Sequence, residues 1–280
     1  MTILTALLQG TKLLEEEAIS APRLTAEVLL THALQQERSY LYAHPEEELS
    51  EIAWIHYGRY LHERMKGKPT QYITGRQEFY GRDFRVTSDV LIPRPETEHL
   101  VEAAMARIQP RDVVVDVGTG SGAIAISLAL ETAAHVFATD ISTTALTVAQ
   151  ANAEHLSAQV GFLACDLVDA LRESSLNVLV SNPPYVPRTD RPSLQREVRD
   201  YEPHVALFGG PTGLEIYEKL IADAARVLRP NGWLLLELGY NSLDPVREML
   251  EHGWSDIDVI PDLAGYPRVI SARLRSEPSP

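Results

Sequence analysis

A glycine-rich segment and two aspartates form the first set of residues whose types could do chemistry. The segment is Val115-Asp116-Val117-Gly118-Thr119-Gly120-Ser121-Gly122. Glycines at alternate positions let the backbone turn sharply and come close to a ligand. Asp140 follows about 20 residues after the loop, a spacing at which an acidic residue can accept both hydroxyls of a ribose. The pattern predicts a site for a nucleoside-containing cofactor.

Asp116 indicates which cofactor this would be. A dinucleotide would place its pyrophosphate near the loop, where a carboxylate would repel it. S-adenosyl-L-methionine instead carries an ammonium and a sulfonium, which an acid attracts directly or through water. Glycine-rich turns also occur in nicotinamide enzymes and in ordinary tight turns, and either aspartate alone could be a helix cap or a solvated strand end. Together around the loop they favour S-adenosyl-L-methionine.

Asp166 and Leu167 follow another predicted strand end, within Cys165-Asp166-Leu167. In this type of fold the position lies beside the adenine. Asp166 could accept a hydrogen bond from the exocyclic amine, and Leu167 could cover the ring. Asp166 could equally be the N-cap of a following helix.

The most specific pattern in the chain is Ser181-Asn182-Pro183-Pro184-Tyr185. Two successive prolines fix the backbone and offer carbonyls without donors of their own. An asparagine before them can accept through its side-chain oxygen. A planar NH2 group could therefore give one hydrogen to Asn182 and the other to the Pro183 carbonyl, with Tyr185 against its flat face. A rigid Pro-Pro turn without a ligand is the alternative.

A methyl acceptor of the amide type would need such a clamp. Its nitrogen is a poor nucleophile, because the lone pair is delocalised into the carbonyl. Holding both hydrogens directs the lone pair toward the methyl carbon. The methylated nitrogen is strongly acidic and loses its proton readily, so no strong base is required. The rate would come from orientation and desolvation.

The elements that must position these residues alternate between strand and helix after about residue 96. Ligands bind beyond the carboxyl ends of strands in parallel sheets with helices on both faces, and the motifs above follow strand ends. We therefore expect a Rossmann-like α/β domain at 96–280. The predicted strands are Val113–Val117, His135–Thr139, Val178–Ser181 and Trp233–Leu238, and the predicted helices are Ala123–Leu130, Thr143–Glu154 and one near Leu214–Leu228.

The region before the α/β domain divides into two parts. Residues 1–68 show helical spacing of apolar residues, with Trp54, Tyr57, Leu61 and Met65 on one predicted helix face. We expect a small helical domain here that docks the substrate. Residues 69–95 predict a hairpin linker that turns at Gly81. Seven basic residues against three acids in 64–94 could form a docking surface or an ordinary solvated connector.

Composition excludes several classes of protein. The formal net charge of -14 argues against direct nucleic-acid binding. The single cysteine and the nine histidines show no metal-ligand spacing, so no metal is expected. No apolar run reaches the roughly 20 residues that cross a membrane, and the N-terminus lacks the features of a secretory signal. A cytoplasmic enzyme is the resulting expectation.

Asn-Pro-Pro-Tyr after a strand resembles the acceptor motif of methyltransferases that act on amino groups of planar systems. These include enzymes for adenine N6, cytosine N4, guanine N2 and glutamine N5. Within this group the chain closely resembles the peptide chain release factor glutamine methyltransferases, which are class I methyltransferases. The resemblance spans roughly residues 69 to 275 and rests on Gln71–Gly75, Glu78–Gly81, Val90–Glu98, Asp116–Gly122, Asp140, Asn182–Tyr185, Tyr201–Pro203, Leu207–Gly210 and Gly213-Leu214.

The resemblance implies roles for particular residues. Gly118–Gly122, Asp140, Leu167 and Asn182 would contact the cofactor, and Asn182–Tyr185 would hold the glutamine. Many relatives have tryptophan where this chain has Leu167, so an aliphatic side chain would cover the adenine here. Ribosomal-protein glutamine methyltransferases tend to carry Pro-Arg-Ser-Pro where this chain has Pro93-Arg94-Pro95-Glu96, which favours release factors as partners. The alternatives are a ribosomal protein or an adenine-N6-type nucleic-acid substrate.

Overall fold

A computed structural model describes residues 1–276, which divide into two compact units. The first unit comprises residues 1–76 and 195–201, and the second comprises the described residues 77–194 and 202–276. The final part of the predicted 96–280 domain, residues 277–280, lies outside the described residues. Within residues 1–276, none of the helices combines the length and the apolar character that crossing a membrane would require.

The first unit is helical, as its apolar spacing predicted. Its helices are α1 (Ile3–Glu16), α2 (Pro22–Leu34), α3 (Arg38–Ala43), α4 (Glu51–Met65), α5 (Thr70–Thr74) and, from the later segment, α9 (Arg196–Tyr201). The predicted face of α4 is partly wrong. Tyr57 and Leu61 are buried, but Trp54 is 37% exposed, and Tyr60 takes the buried position instead. Apolar spacing predicted the wrong centre for the buried face, which contains Tyr57, Tyr60 and Leu61 and leaves Trp54 outside it.

The second unit is built on a seven-stranded sheet. The sheet strands are β3 (Val113–Val117), β4 (His135–Asp140), β5 (Val160–Ala164), β6 (Leu176–Ser181), β9 (Leu228–Glu237), β10 (Trp254–Pro261) and β11 (Pro267–Leu274). Their order across the sheet is β10-β11-β9-β6-β3-β4-β5. The five strands from β9 to β5 are parallel, as predicted, and β11 runs antiparallel to both of its neighbours.

Helices cover both faces of the sheet, so successive strand residues alternate between two apolar cores. On β3, Val114 packs into one core while Val115 and Val117 pack into the other. Burial on both faces explains why four of the five residues of β3 are valine. The remaining helices are α6 (Glu98–Met105), α7 (Ala123–Glu131), α8 (Thr143–Leu156), α10 (His204–Leu207), α11 (Glu215–Val227) and α12 (Leu243–Met249).

The predicted hairpin is present as β1 (Arg76–Phe79) and β2 (Arg82–Arg85). Tyr80 and Gly81 both have positive φ, as a tight two-residue turn of this hand requires. Phe79 and Phe84 are buried in one of the sheet's two cores. The strands of the hairpin are therefore fixed by packing against the α/β unit. A further short pair, β7 (Val186–Pro187) and β8 (Phe208–Gly210), follows the Asn-Pro-Pro-Tyr motif.

Candidate active site

Parallel strands bring the predicted site residues to one edge of the sheet. The glycine loop follows β3, Asp140 ends β4, Asp166 and Leu167 follow β5, and Asn182 follows β6. These residues are far apart in sequence, yet the carboxyl ends of parallel neighbours meet. A cleft with an internal volume of about 170 Å³ opens there.

The cleft has a lining that matches most of the predicted cofactor residues. Gly118, Gly120, Asp140, Asp166, Leu167, Asn182 and Pro184 line it, together with Val90, Leu91 and Ile141. A smaller cavity of about 50 Å³ shares Leu91, Gly118, Gly120 and Asn182 with the cleft and adds Thr97, Thr119 and Ser121. The two cavities therefore meet at the glycine loop and Asn182.

The glycine loop has the conformation that its sequence suggested. Gly118, Gly120 and Gly122 all have positive φ, which residues with a Cβ rarely adopt. The Gly122 backbone also approaches α8, and a Cβ there would lie 3.2 Å from Ala149 Cβ. The loop is thus closed tightly over the start of α7.

Asp116 is fully buried beneath the loop and lines neither cavity. Its Oδ2 accepts from Thr119 Oγ1 at 2.6 Å and from the Ala125 amide at 3.2 Å. Burial raises the pKa of Asp116 to about 7, against the opposing effect of these hydrogen bonds. Its Oδ1 is buried without a partner in the part of the chain that the structure describes. The carboxylate therefore lies behind the loop rather than in the cleft wall, with one oxygen still able to accept a hydrogen bond.

Asp140 joins the two turns that border the cleft. Its Oδ2 accepts from the Gly120 amide and its Oδ1 from the Ser142 amide, both at 2.9 Å. Each carboxylate oxygen retains a second lone pair, so a ribose hydroxyl could still donate to it. The side chain therefore shapes the loop and faces the cleft at once.

Asp166 and Leu167 border the other end of the cleft. Asp166 is exposed and pairs with Lys219 at 2.6 Å, and a turn rather than a helix follows it. The N-cap alternative for Asp166 is therefore wrong. Leu167 adopts a positive φ of 45°, and its carbonyl accepts from Thr139 Oγ1. This backbone position turns the leucine to the cleft, where it forms an apolar wall.

The Asn-Pro-Pro-Tyr residues lie differently from one another. Asn182 and Pro184 line the cleft, and Pro183 is buried. Tyr185 does not line the cleft but a neighbouring cavity, with its ring against Gly239, where a Cβ would be 2.8 Å from Tyr185 Cδ2. Burial raises the pKa of Tyr185 to about 12, so its hydroxyl stays protonated.

Polar residues behind Asn182 were not assigned roles from the sequence. Asn182 Nδ2 donates to Thr97 Oγ1 at 3.2 Å, and Thr97 Oγ1 donates to Glu237 Oε2 at 2.6 Å. Thr97 belongs to the Val90–Glu98 segment, and Glu237 is the charged residue that ends the apolar strand β9. A carboxylate at the carboxyl end of a buried parallel strand is the pattern that could have identified Glu237.

Glu202 holds the segment that forms one wall of the cleft. Its side chain is buried and accepts from the Arg94 guanidinium and from the Ile92 amide. These contacts fix the backbone on both sides of Pro93, next to Leu91 in the cleft wall. Glu202 is a second buried carboxylate to which the sequence alone gave no function.

Four of the seven basic residues in the stretch 64–94 form ion pairs and so present no free charge. These side chains pair with acids, Arg64 with Glu197, Lys68 with Glu63, Arg82 with Glu131 and Arg94 with Glu202. The arrangement favours the connector interpretation at those positions over a continuous basic docking surface.

The chain is similar to known proteins over nearly its whole length. Residues 5–75 match the family model "PrmC N-terminal domain", and residues 95–197 match "Methyltransferase small domain". The chain is 47% identical over 278 residues to the release factor glutamine methyltransferase of Koribacter versatilis, covering 98% of this chain and 99% of that protein. It is 44% identical to that of Moorella thermoacetica, covering 99% of this chain and all of that protein.

A solved structure shares the fold at much lower sequence similarity. A methyltransferase from Pyrococcus furiosus superposes with a TM-score of 0.56 at 19% identity, covering 71% of this chain and 91% of that one. The α/β architecture is therefore that of known methyltransferases.

Proposed function

The chain belongs to the release factor glutamine methyltransferase family, and we propose how its site performs that reaction. It transfers a methyl group to the side-chain amide nitrogen of a glutamine, with a peptide chain release factor as the protein substrate. The observation that carries the proposal is the position of Asn182. Its side chain lines both the cleft and the smaller cavity, next to the glycine loop.

S-adenosyl-L-methionine would be held by the cleft residues and would supply an electrophilic methyl group. Gly118–Gly122 and Asp140 would bind the ribose and the amino-acid end, and Leu167 would cover the adenine. Asp116 would act from beneath the loop, through its unpartnered Oδ1 or a water. Asp166 borders the same cleft but is paired with Lys219, so it would act on the adenine amine only through its second oxygen.

The acceptor amide is oriented by Asn182 and the Pro183 carbonyl. Asn182 Nδ2 is engaged by Thr97, which leaves Oδ1 to accept one hydrogen of the substrate NH2 group. The Pro183 carbonyl would accept the other. Held by both hydrogens, the nitrogen would direct its lone pair toward the methyl group that the cofactor supplies, and this orientation would provide much of the rate. Pro184 borders the same cleft, and Tyr185 supports the motif from its buried position.

Close backbone packing holds the acceptor motif in place. A Cβ on Gly209 would lie 2.4 Å from the Pro184 carbonyl oxygen, and one on Gly213 would lie 2.3 Å from that of Tyr185. Only glycine permits this approach at both positions. The loop that carries β8 therefore packs directly on the Pro-Pro-Tyr backbone, which restricts its motion.

Docking of the intact release factor would fall to the first unit. A specific protein complex buries roughly 1,200 Å² or more, which exceeds what a single glutamine loop offers. On α4, Ile52 and Ile55 are 69% and 58% exposed. Apolar side chains this exposed on one helix are suited to a protein partner.

The test is methyl transfer from radiolabelled cofactor to a panel of purified acceptors. The panel contains intact release factors, the same factors with the acceptor glutamine changed to alanine, ribosomal proteins, DNA and RNA. We expect label in the intact factors alone, with peptide mass mapping placing 14 Da on the glutamine, the mass of one CH2. Label in ribosomal proteins or nucleic acid, with none in release factors, would overturn the proposal.

A further inference from the structure

A short chain of buried polar side chains lies behind the acceptor motif. It runs from Asn182 Nδ2 to Thr97 Oγ1 and from Thr97 Oγ1 to Glu237 Oε2, over 3.2 Å and 2.6 Å. Thr97 is 4% exposed and Glu237 is 1% exposed. Thr97 and Glu237 are therefore shielded from solvent and must be satisfied by protein partners, whereas Asn182 is half-buried and also lines the cleft.

The number of protons shared by Thr97 and Glu237 determines the orientation of the Asn182 carboxamide. An ionised carboxylate only accepts hydrogen bonds, so Thr97 must give its single hydroxyl proton to Glu237. The Thr97 oxygen can then only accept, and Asn182 must offer its NH2 group to it. The Asn182 oxygen is left on the opposite side of the carboxamide, where the acceptor motif needs it.

A neutral Glu237 would remove that constraint. Its carboxyl proton could go to Thr97, and Thr97 could then donate to the Asn182 oxygen. The carboxamide would be rotated by half a turn and would present NH2 to the NH2 of the substrate. Two donors face each other in that arrangement, so the acceptor would lose one of its two hydrogen bonds.

We propose that Thr97 and Glu237 are positioning residues for methyl transfer, which hold the Asn182 carboxamide with its oxygen toward the acceptor nitrogen. The inference rests on the proposed function, because it assumes that Asn182 holds the substrate amide. Glu237 lines neither cavity of the site, and Thr97 lines only the smaller one. Both act through Asn182 alone.

The surroundings of Glu237 make its charge sensitive to pH. Burial raises the pKa of Glu237 to about 7, and Glu96 acts in the same direction. The hydrogen bond from Thr97 and the cations Arg268 and Arg94 oppose this shift. The Tyr217 hydroxyl donates to the Glu237 carbonyl, and Tyr185, whose hydroxyl stays protonated, also faces the group. Glu237 therefore loses the negative charge that orients the Asn182 carboxamide as the pH falls through about 7.

The experiment compares Thr97→Val, Thr97→Ser and Glu237→Gln in the full-length chain. Val has the shape of Thr without the hydroxyl, and Ser retains the hydroxyl. Ser271→Ala is the matched control, since Ser271 is a fully buried residue of the same unit whose hydroxyl accepts a hydrogen bond from Arg107 and which lines neither cavity of the site. For each protein, kcat and KM are measured with intact release factor, and cofactor affinity is measured by calorimetry.

We expect Thr97→Val to lower kcat by roughly 10- to 100-fold, the factor that corresponds to a buried polar group without its partner. Thr97→Ser should stay within about threefold of wild type, because the hydrogen bond is retained. Cofactor affinity and the melting temperature should follow the Ser271→Ala control, which also loses a buried hydroxyl bonded to a charged group. Equal losses in the Val and Ser variants, or a loss of cofactor affinity that accounts for the whole effect, would overturn the proposal.

The pH profile gives a second readout that a purely structural role would not change. Wild-type kcat should fall on the acid side of about pH 7, about tenfold per pH unit for one required negative charge. Glu237→Gln should have a lower and flatter profile. Burial also raises the pKa of Asp116 to about 7, so an inflection that persists in Glu237→Gln belongs to Asp116 and counts against the proposal.

A spectroscopic measurement separates this inference from the proposed function. The side-chain amide resonances of Asn182, assigned by their loss in Asn182→Ala, report on its hydrogen bond in the free enzyme. They should shift with pH near 7 in wild type and lose that dependence in Thr97→Val. If the Asn182 resonances respond neither to pH nor to Thr97→Val, the positioning role is wrong, even when methylation is normal. Normal resonance behaviour with no methylation of any release factor overturns the proposed function instead.

Discussion

Replacing Asp140 by alanine removes a carboxylate that serves the loop and the cleft together. Two backbone amides lose their acceptor, those of Gly120 and Ser142. Any ribose hydroxyl that donates to Asp140 loses it as well. The substitution should therefore lower cofactor affinity strongly and stability only slightly.

The two effects differ in size for a structural reason. Asp140 is half-buried, so water can reach both freed amides in the mutant, and the free energy of unfolding should fall by about 1 kcal/mol. Hydrogen bonds to a charged group contribute more, about 1.5–3 kcal/mol. We expect a loss of about 2–3 kcal/mol in binding, which is roughly 30- to 150-fold in Kd at 1.4 kcal/mol per factor of ten.

Isothermal calorimetry with S-adenosyl-L-methionine and its demethylated product measures this directly. Asp140→Asn should be intermediate, since it keeps the shape and one acceptor oxygen but turns an NH2 toward a backbone N–H. Asp112→Ala is the control, because Asp112 also accepts from a backbone amide, that of Gln109. Asp112 lies just before β3, at the end of the strand opposite to the glycine loop. A folded Asp140→Ala protein with wild-type affinity would remove Asp140 from the cofactor site.

Four further outcomes are expected. Asn182→Ala should abolish most methyl transfer and change cofactor affinity less, and turnover near wild type would refute the acceptor role. Glu202→Gln should lower the free energy of unfolding by about 1–3 kcal/mol in urea denaturation, since it removes the charge that pairs with Arg94; an unchanged midpoint would count against it. Because burial raises the pKa of Asp116, its protonation favours the folded state at low pH, and this stability is lost as the pH rises from about 4 to about 7. Asp116→Asn should flatten that slope, and an identical slope would contradict the assignment. Ile52→Lys with Ile55→Lys should lower kcat/KM for intact release factor but not for a short glutamine peptide, and equal effects on both substrates would exclude docking there.

The local features of the site could be predicted from the sequence because they depend on short-range chemistry. Positive φ at Gly118, Gly120 and Gly122 is what alternate glycines permit, and the burial of β3 follows from its four valines. The turn of the hairpin at Gly81 has the same kind of cause. Each of these features is decided within a few residues.

The apolar pattern was less informative where burial is only partial. Trp54 was expected on a buried face and is partly exposed, whereas Tyr60 is buried. The antiparallel strand β11 and its neighbour β10 were not predicted. β10 lies at the sheet edge and fully buries only Trp254, so its sequence resembles that of a loop. β11 lies between β10 and β9, and its buried run, residues 269–272, is only four residues long.

The sequence by itself determined the class of fold, the glycine loop and the acceptor motif, because motif residues adjacent in the chain stay adjacent in space. Only the tertiary structure decided which side chains support them. Asn182, Thr97 and Glu237 lie on three separate segments, with 85 residues between the first pair and 140 between the second. No local pattern links them. They meet because β6 and β9 are parallel neighbours, which places Asn182 and Glu237 at the same edge of the sheet, where Thr97 packs between them.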